Sequence, residues 1–505
     1  MTKYIRKSSS VDVMLLAEGT YPYIGGGVSS WIAQILEGMK DIRFGICFLG
    51  SVESDYGGLK YELPDNLVHL EVHYLFEENT PEVKRIKGDE KAFETIENLY
   101  ASFKDKSIEI PKEIKNIDFY LQDMTFEDFL YSKKSWEFIN KIYFKNAPDV
   151  SFIDYFWTLR DIHKPVWTLA KIVKHFPDMK ILHAPSTGYA GFLGALASYD
   201  RDTGLVLTEH GIYTRERKID MLSAEWIDFK KPALLKQPEE FNYIKKMWIE
   251  FFRIIGEFAY EKADIILSLY PEAQNIQIAL GADARKTRVL PNGVDVDAIQ
   301  AVMKEKQKDQ KPVISLIGRV VSIKDIKTFI RAMRITVNQI PDVEAWIVGP
   351  TDEDKEYFTE CEHMIESLGL TNNMRFLGFR NIKEILPHST LLTLTSISEG
   401  MPLVILEGFA AGIPCVATDV GSCKNLIEGG LNDEDRELGL AGAITSIANP
   451  GELAKHYIRF LTDEEARKKA GDIALRRVEK YYSQEIFLKE YHEIYMNLIN
   501  KKESL

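Results

Sequence analysis

Two carboxylates, Glu399 and Glu407, and two cations, Arg319 and Lys324, are the residues whose type and spacing suit chemistry. The carboxylates form an E-x7-E in SISEGMPLVILEGFAAGIPCVATDVG. Leu391–Thr395 before them and Cys415–Thr418 after them read as buried parallel strands, short, apolar and bounded by turn residues. Pro402 suits a first helical position and Gly412 a helix end, which predicts a helix over Leu403–Ala411. Glu399 then precedes the helix and Glu407 lies more than a turn inside it. Eight positions at about 100° leave the two about 80° apart in helical phase, so they make no acid pair on one face. They can line one cleft at two depths, with free N–H groups of Gly400–Val404 between them. Such N–H groups bind phosphate, and an ionised carboxylate accepts from hydroxyls. Phosphate beside sugar hydroxyls describes a nucleotide sugar. The plain alternative is a solvated Glu399 and a Glu407 that caps or salt-bridges.

Arg319 and Lys324 lie in GRVVSIKD, between the strand Val313–Ile317 and a helix apolar at Ile326, Phe329, Ile330, Met333 and Val337. Cations are disfavoured at a helix start by the dipole, so a ligand explains them better than solvent does. A planar fork and a point charge together can neutralise a leaving diphosphate without a metal.

The elements that must carry these residues read as two α/β series. The first opens with the strand Val11–Leu16, then EGTYPYIGGGVSSW, in which Gly25, Gly26 and Gly27 let backbone approach a ligand and a helix starts near Val28–Ser29. That is a phosphate cradle in outline, though neither GxGxxG nor a Walker loop. Strands follow at Arg43–Leu49 and Leu67–Leu75, then a charged helical insertion over about 77–150. Strands resume at Lys180–His183, Leu205–Thr208, Asp264–Leu269 and Arg288–Leu290. His183 and His210 stand at strand ends, where open α/β sheets bind ligands. Arg215 and Arg217 of YTRER lie near the same rim. After the LPNGVD turn and the polar run Ala298–Lys311, a second series of about six strands, mostly followed by helical sequence, makes a doubly wound domain. The boundaries are 1–297, 298–475, and a C-terminal helix over 476–505 able to cross back to the first domain.

The composition removes several classes. A net charge of −13 over 505 residues disfavours nucleic acid or an anionic membrane as main partner. Four scattered cysteines give neither a disulfide framework nor a CxxC metal site and read as buried thiols of a cytoplasmic protein. No apolar run reaches bilayer length, and VDVMLLAEG reads as a first strand rather than a signal segment.

The combination of Arg319 with Lys324, E-x7-E, LPNGVD and the early glycine turn resembles the retaining glycosyltransferases of family 4 over nearly the whole chain. The blocks EGTYPYIGGGVSSW, STGYAG and TEHGIYTRER resemble more narrowly the cytosolic glycosyltransferases of Pel exopolysaccharide systems. The resemblance implies a GT-B architecture, two Rossmann-like domains facing across a cleft. It implies that Arg319 and Lys324 hold the donor diphosphate and that Glu407 binds the ribose. Glu399 would contact the donor sugar, with Gly400, Met401, Pro402 and Leu403 lining diphosphate and sugar. The base would stack near Leu377, Gly378 and Phe379, and Gly25–Gly27 would close over the phosphates. The family's usual H-x-H reads His183-Ala184-Pro185 here, so His210 is the substitute candidate. The activity implied is retaining transfer of hexose from a UDP-sugar, UDP-glucose first, to a growing polysaccharide of a biofilm matrix. No cofactor or metal is expected. The protein would be recruited to the inner membrane face by membrane-embedded Pel-type synthase partners.

Three other readings remain open. A metal-dependent GT-A transferase would use one of the DxD runs at Asp295–Asp297, Asp352–Asp354 or Asp433–Asp435. A GT-B epimerase would need no acceptor. A catalytically silent nucleotide-sugar-binding subunit of a membrane synthase would bind UDP without turnover.

Overall fold

The computed structural model describes residues 3–76, 86–102, 109–146, 150–223, 243–304 and 311–503. The chain divides into two compact units, Met1–Leu267 with Ile276–Arg288 and Glu493–Leu505, and Ser268–Asn275 with Val289–His492. The domain change therefore falls at Arg288/Val289 rather than at 297/298.

The first unit is built on an eight-stranded sheet: β1 (Lys3–Arg6), β2 (Ser10–Glu18), β3 (Phe44–Gly50), β4 (Leu67–Tyr74), β5 (Asp178–Ala184), β6 (Gly204–Glu209), β7 (Ile265–Ser268) and β8 (Thr287–Val289). Their order is β1-β4-β3-β2-β5-β6-β7-β8. β2 pairs in parallel with both β3 and β5, so the direction of winding reverses beside β2. β3 is buried along its whole length, as a strand covered on both faces must be. The exposed edge strand β1 pairs antiparallel to β4 and is missed by the sequence reading, because KYIR looks like a solvated basic end.

The helical insertion does not stop at 150. It comprises helices Glu90–Ser102, Phe126–Tyr131 and Lys133–Asn146, and continues into Phe152–His175. Its residues 77–85, 103–108 and 147–149 lie outside the described residues. Phe93, Phe129, Phe138 and Trp167 from these helices join one apolar core with Met14, Leu16 and Leu49 of the sheet.

The second unit holds β9 (Val313–Ile317), β10 (Glu344–Val348), β11 (Met374–Gly378), β12 (Leu391–Leu394), β13 (Cys415–Thr418) and β14 (Gly442–Thr445). Their order is β11-β10-β9-β12-β13-β14, with all neighbouring pairs parallel. The winding reverses between β9 and β12. The polar run after LPNGVD is not all linker: Asp295 caps a helix Val296–Met303 that covers its first part, and residues 305–310 lie outside the described residues.

The C-terminal region is two helices, Glu464–Tyr481 and Gln484–Glu503, rather than one over 476–505. The break is held within the second unit, where Val294 N–H donates to Tyr482 O and Gln484 N–H to Val294 O, each at 2.9 Å. Gly293 of LPNGVD permits this, because a Cβ there would press against Phe487. The end of the last helix belongs to the first unit, and its Tyr495 is fully buried there.

Candidate active site

In the second unit the sequence-predicted residues gather at the carboxyl ends of parallel strands, on both sides of the winding reversal. That is where open α/β sheets leave a crevice for ligands. The loop after β9 carries Arg319 and Lys324 and is tied on both flanks. Toward β10, Gly318 N–H donates to Val348 O at 2.8 Å and Val320 N–H to Pro350 O at 3.0 Å. Toward β12, Ile397 N–H donates to Ile323 O at 2.9 Å, and the Thr395 hydroxyl to Lys324 O at 2.8 Å. Asp325 follows in the left-handed region (φ 44°) and accepts from Thr328 N–H, starting the helix Ile326–Gln339.

Those ties bring the two chemical motifs together. The Lys324 ammonium donates to Glu399 Oε1, an oxygen that also accepts from the Ser396 hydroxyl. Both partners are largely buried, at 21% and 12% exposed. Arg319 pairs with Glu353 at a half-exposed position, a contact that a phosphate can displace at small cost.

Pro402 flanks the helix rather than forming its first residue, and the helix runs Leu403–Ala410 with no side-chain cap and no acidic residue in its first turn. Its N-terminus is therefore a donor surface without a built-in acceptor. The preceding loop is held by Ser422 N–H donating to Gly400 O at 2.9 Å, and Met401 Sδ accepts from Asn292 N–H of LPNGVD. Gly421 (φ 54°) sits against this loop, where any Cβ would collide with the carbonyl oxygens of Glu399 and Gly400. Gly349 does the same for the β9 loop, its Cβ position falling on Gly318 O. Neither glycine stands out in the sequence, because each is defined by a neighbour far along the chain.

Glu407 keeps part of its surface open, yet its carboxyl is desolvated and its pKa is pushed up to about 7 by burial, with Lys383 acting in the opposite direction. No described residue hydrogen-bonds it. Lys383 lies in the short helix Ile382–Ile385 just after Leu377–Phe379, so the predicted base-stacking loop and the predicted ribose carboxylate share one electrostatic neighbourhood. Leu377 is half-buried, Gly378 turns the strand end with φ 63°, and the Phe379 ring is 78% exposed.

All three DxD runs have structural duties. Asp295 and Asp354 cap helices, accepting from Ala298 and Tyr357 N–H. Asp435 accepts from the Arg477 guanidinium at 2.7 Å, both side chains fully buried.

In the first unit, Gly25 and Gly26 precede and Gly27 opens the helix Gly27–Gly38, with open space where each Cβ would stand. Trp31 of that helix meets the rings of His183 and His210 edge-on, at 5.1 and 4.8 Å. The two histidines differ. His183 is fully buried, with Nδ1 2.6 Å from the Tyr495 hydroxyl and Nε2 2.8 Å from Thr208 Oγ1. The expectation of a sugar contact at His183 is therefore corrected: both ring nitrogens are committed inside the unit. His210 stays partly open, and its Nε2 is buried with no described hydrogen-bond partner. Burial lowers both histidines to about 3, so both are neutral at physiological pH.

Sequence reasoning missed Glu18 and Glu209, which join the three blocks of the narrower resemblance. Glu18 accepts from Ala190 N–H and the Tyr213 hydroxyl, each at 3.0 Å. Glu209 accepts from the Thr187 hydroxyl at 2.7 Å, Gln277 Nε2 at 3.0 Å and the Tyr260 hydroxyl. Burial raises both carboxyls. Their positions at the ends of β2 and β6 were the available signal.

Two Rossmann-like units with this loop set define the GT-B class. Anabaena HepE in complex with UDP is 17% identical and superposes with a TM-score of 0.59, covering 96% of this chain and 100% of that one. The family model "Glycosyl transferases group 1" matches residues 299–477, which places the second unit in the glycosyltransferase class. The chain belongs to the family described as "Domain of unknown function (DUF3492)", whose model matches residues 11–285, more than half of it. Among curated proteins it is 23% identical over 249 residues to the N-acetyl-alpha-D-glucosaminyl L-malate synthase of Bacillus anthracis, 48% of this chain and 62% of that protein. It is 32% identical over 194 residues to the Escherichia coli UDP-Gal:alpha-D-GlcNAc-diphosphoundecaprenol alpha-1,3-galactosyltransferase, 36% of this chain and 48% of that protein. The chain thus spans about half to three-fifths of these two relatives.

Proposed function

We propose that the protein is a retaining, metal-independent glycosyltransferase that moves a hexose from a UDP-sugar, UDP-glucose first, to a growing exopolysaccharide of the Pel type. The observation that carries the reading is the Lys324–Glu399 pair at the winding reversal of the second sheet, beside an uncapped helix start and a Glu407 carboxyl that no described residue hydrogen-bonds. Arg319, Lys324 and the Leu403 N-terminus meet the departing diphosphate by preorganised charge. Glu407 accepts from ribose hydroxyls, Glu399 from the donor sugar, and Phe379 offers its ring to the base. Glu399 is occupied by Lys324 and Ser396, which suits hydroxyl binding rather than nucleophilic attack. The acceptor therefore attacks on the face the diphosphate leaves, and the leaving phosphate takes its proton. The capping duties of Asp295 and Asp354 and the buried pairing of Asp435 argue against a DxD metal.

HepE in complex with UDP-glucose, a structure 19% identical to this chain, and the UDP-sugar in the name of the Escherichia coli relative support the donor class. The Pel assignment rests on the three sequence blocks alone. It brings with it a polysaccharide acceptor, a cytoplasmic site of action, and recruitment to the membrane by integral synthase partners. Among the described residues no helix is long and apolar enough to cross a membrane. Isothermal titration with UDP, UDP-glucose, UDP-GlcNAc, UDP-GalNAc and ADP-glucose in EDTA tests the reading. Uridine-selective binding lost in Glu407→Ala supports it, and binding of none of them overturns it.

A further inference from the structure

A second cluster lies in the first unit, in the sheet itself rather than at the strand ends. β4 reads LVHLEVHY, and its alternation puts His69, Glu71 and His73 on one face. In the parallel register Cys47 of β3 stands opposite Glu71, so its thiol shares that face. Cys47, Glu71 and His73 are 0%, 1% and 9% exposed. Their Sγ, carboxylate oxygen and ring nitrogen all lie within 4.8 Å of one another, and no other such group occurs among the described residues.

The polar atoms of this cluster face one another inside the core. Glu71 Oε1 and His73 Nε2 lie 3.3 Å apart, yet neither atom makes a hydrogen bond. The other carboxylate oxygen is provided for. His69 Nδ1 lies 3.2 Å from both the N–H and the carbonyl oxygen of Ser8, and its Nε2 lies 3.3 Å from Glu71 Oε2. Glu71 is thereby oriented with Oε1 turned to His73, the arrangement by which outer groups aim metal ligands.

The geometry points to a zinc ion held by Cys47 Sγ, Glu71 Oε1 and His73 Nε2, with His69 as the positioning residue behind Glu71. Thiolate, imidazole and carboxylate together suit zinc rather than magnesium or calcium. Ligands around a tetrahedral zinc stand roughly 3.4 Å apart. The Glu71–His73 separation of 3.3 Å already fits. Binding forms a Zn–S bond and releases the Cys47 proton to solvent. The ion would pin β3 to β4 beneath the helical insertion, with water completing the fourth position. It is independent of the donor site, which lies in the other unit.

The test is metal analysis of the full-length protein after exhaustive dialysis, with cobalt substitution as a spectroscopic readout. Retention of about one zinc per chain, and a thiolate-to-cobalt charge-transfer band lost in Cys47→Ser, are expected. His73→Gln should lower zinc content at least tenfold, and His69→Gln should weaken affinity about 10–100-fold. Exposed His363→Gln should change nothing. Should Cys47→Ser not fold, the wild-type band still decides, since all four cysteines are buried and, among the described residues, Cys47 is the one grouped with nitrogen and oxygen ligands. A wild-type protein that keeps less than about a tenth of an equivalent of zinc, shows no band and gains no thermal stability from added zinc overturns the proposal.

Discussion

The Lys324 ammonium and the Ser396 hydroxyl both donate to Oε1 of Glu399, so the cation of one strand-end loop is fixed by the carboxylate of its neighbour. The proposed donor site is consequently set before any ligand arrives, which is what preorganised electrostatics requires. Arg319 is different. It is half-exposed and paired only with the surface residue Glu353.

That contrast separates two substitutions. Arg319→Ala removes a surface pair worth at most about 1 kcal/mol, so its melting temperature should match wild type while turnover falls roughly 100-fold or more. Lys324→Met should lower turnover similarly and also destabilise by about 2 kcal/mol, because Glu399 loses its compensating charge. Thermal unfolding beside hexose-transfer assays checks both. Wild-type turnover in Arg319→Ala would remove that residue from the site.

Glu407 makes donor affinity depend on pH. Burial raises its carboxyl to about 7, so the free protein carries it protonated below that pH. Accepting from two ribose hydroxyls requires the carboxylate. UDP-glucose affinity should therefore weaken about tenfold per pH unit below 7, with proton release on binding. Glu407→Gln should bind weakly at every pH. The stability consequence has the opposite sense: a raised carboxyl favours folding below about 4.5, and that benefit is lost as pH rises through 7. At pH 8 Glu407→Gln should then be more stable than wild type, by about 3 kcal/mol at most. Titration calorimetry in buffers of differing ionisation heat measures the first effect and thermal scans the second.

Gly421 offers a test of the loop rather than of the charges. Its φ of 54° and the Glu399 and Gly400 carbonyls beside it leave no room for a methyl group. Gly421→Ala should cost about 1–3 kcal/mol and weaken UDP binding several-fold, although the residue touches no proposed ligand atom. Unchanged affinity would show that the Glu399–Met401 loop tolerates displacement.

Residues acting through local sequence were legible in advance. Strands β9 and β13 fall at the positions their apolar runs predict, and Arg319, Lys324, Glu399 and Glu407 lie where strand–loop–helix reading puts them. What sequence alone hid depends on partners distant along the chain. Gly421 needs the Glu399 carbonyl, Cys47 needs Glu71 across a strand pair, and β1 is a strand only because β4 offers it an edge. His183 shows the same limit. Its place at the end of β5 suggested a ligand contact, whereas Tyr495, 312 positions along the chain, takes its Nδ1.

His183 also carries the last prediction. Burial lowers His183 and His210 to about 3 and His163 to about 4, so all three are neutral in the folded chain near pH 7. The unfolded chain takes up their protons below about 6.5. Stability from these groups is full above that pH and falls as the pH drops from 6.5 toward 3, each group contributing up to about 1.4 kcal/mol per pH unit. Tyr495→Phe should cost about 1–2 kcal/mol at pH 7 by leaving His183 Nδ1 without its hydroxyl. It should leave the acid slope nearly unchanged, because desolvation, not that hydrogen bond, holds the ring neutral. His183→Gln, where it folds, should remove from that slope the contribution of one histidine, up to about 1.4 kcal/mol per pH unit. Urea unfolding at pH 5, 6 and 7 measures all of these. A slope the same in wild type and in His183→Gln would mean that this ring reaches water, and His183 would again be a candidate for contact with the sugar.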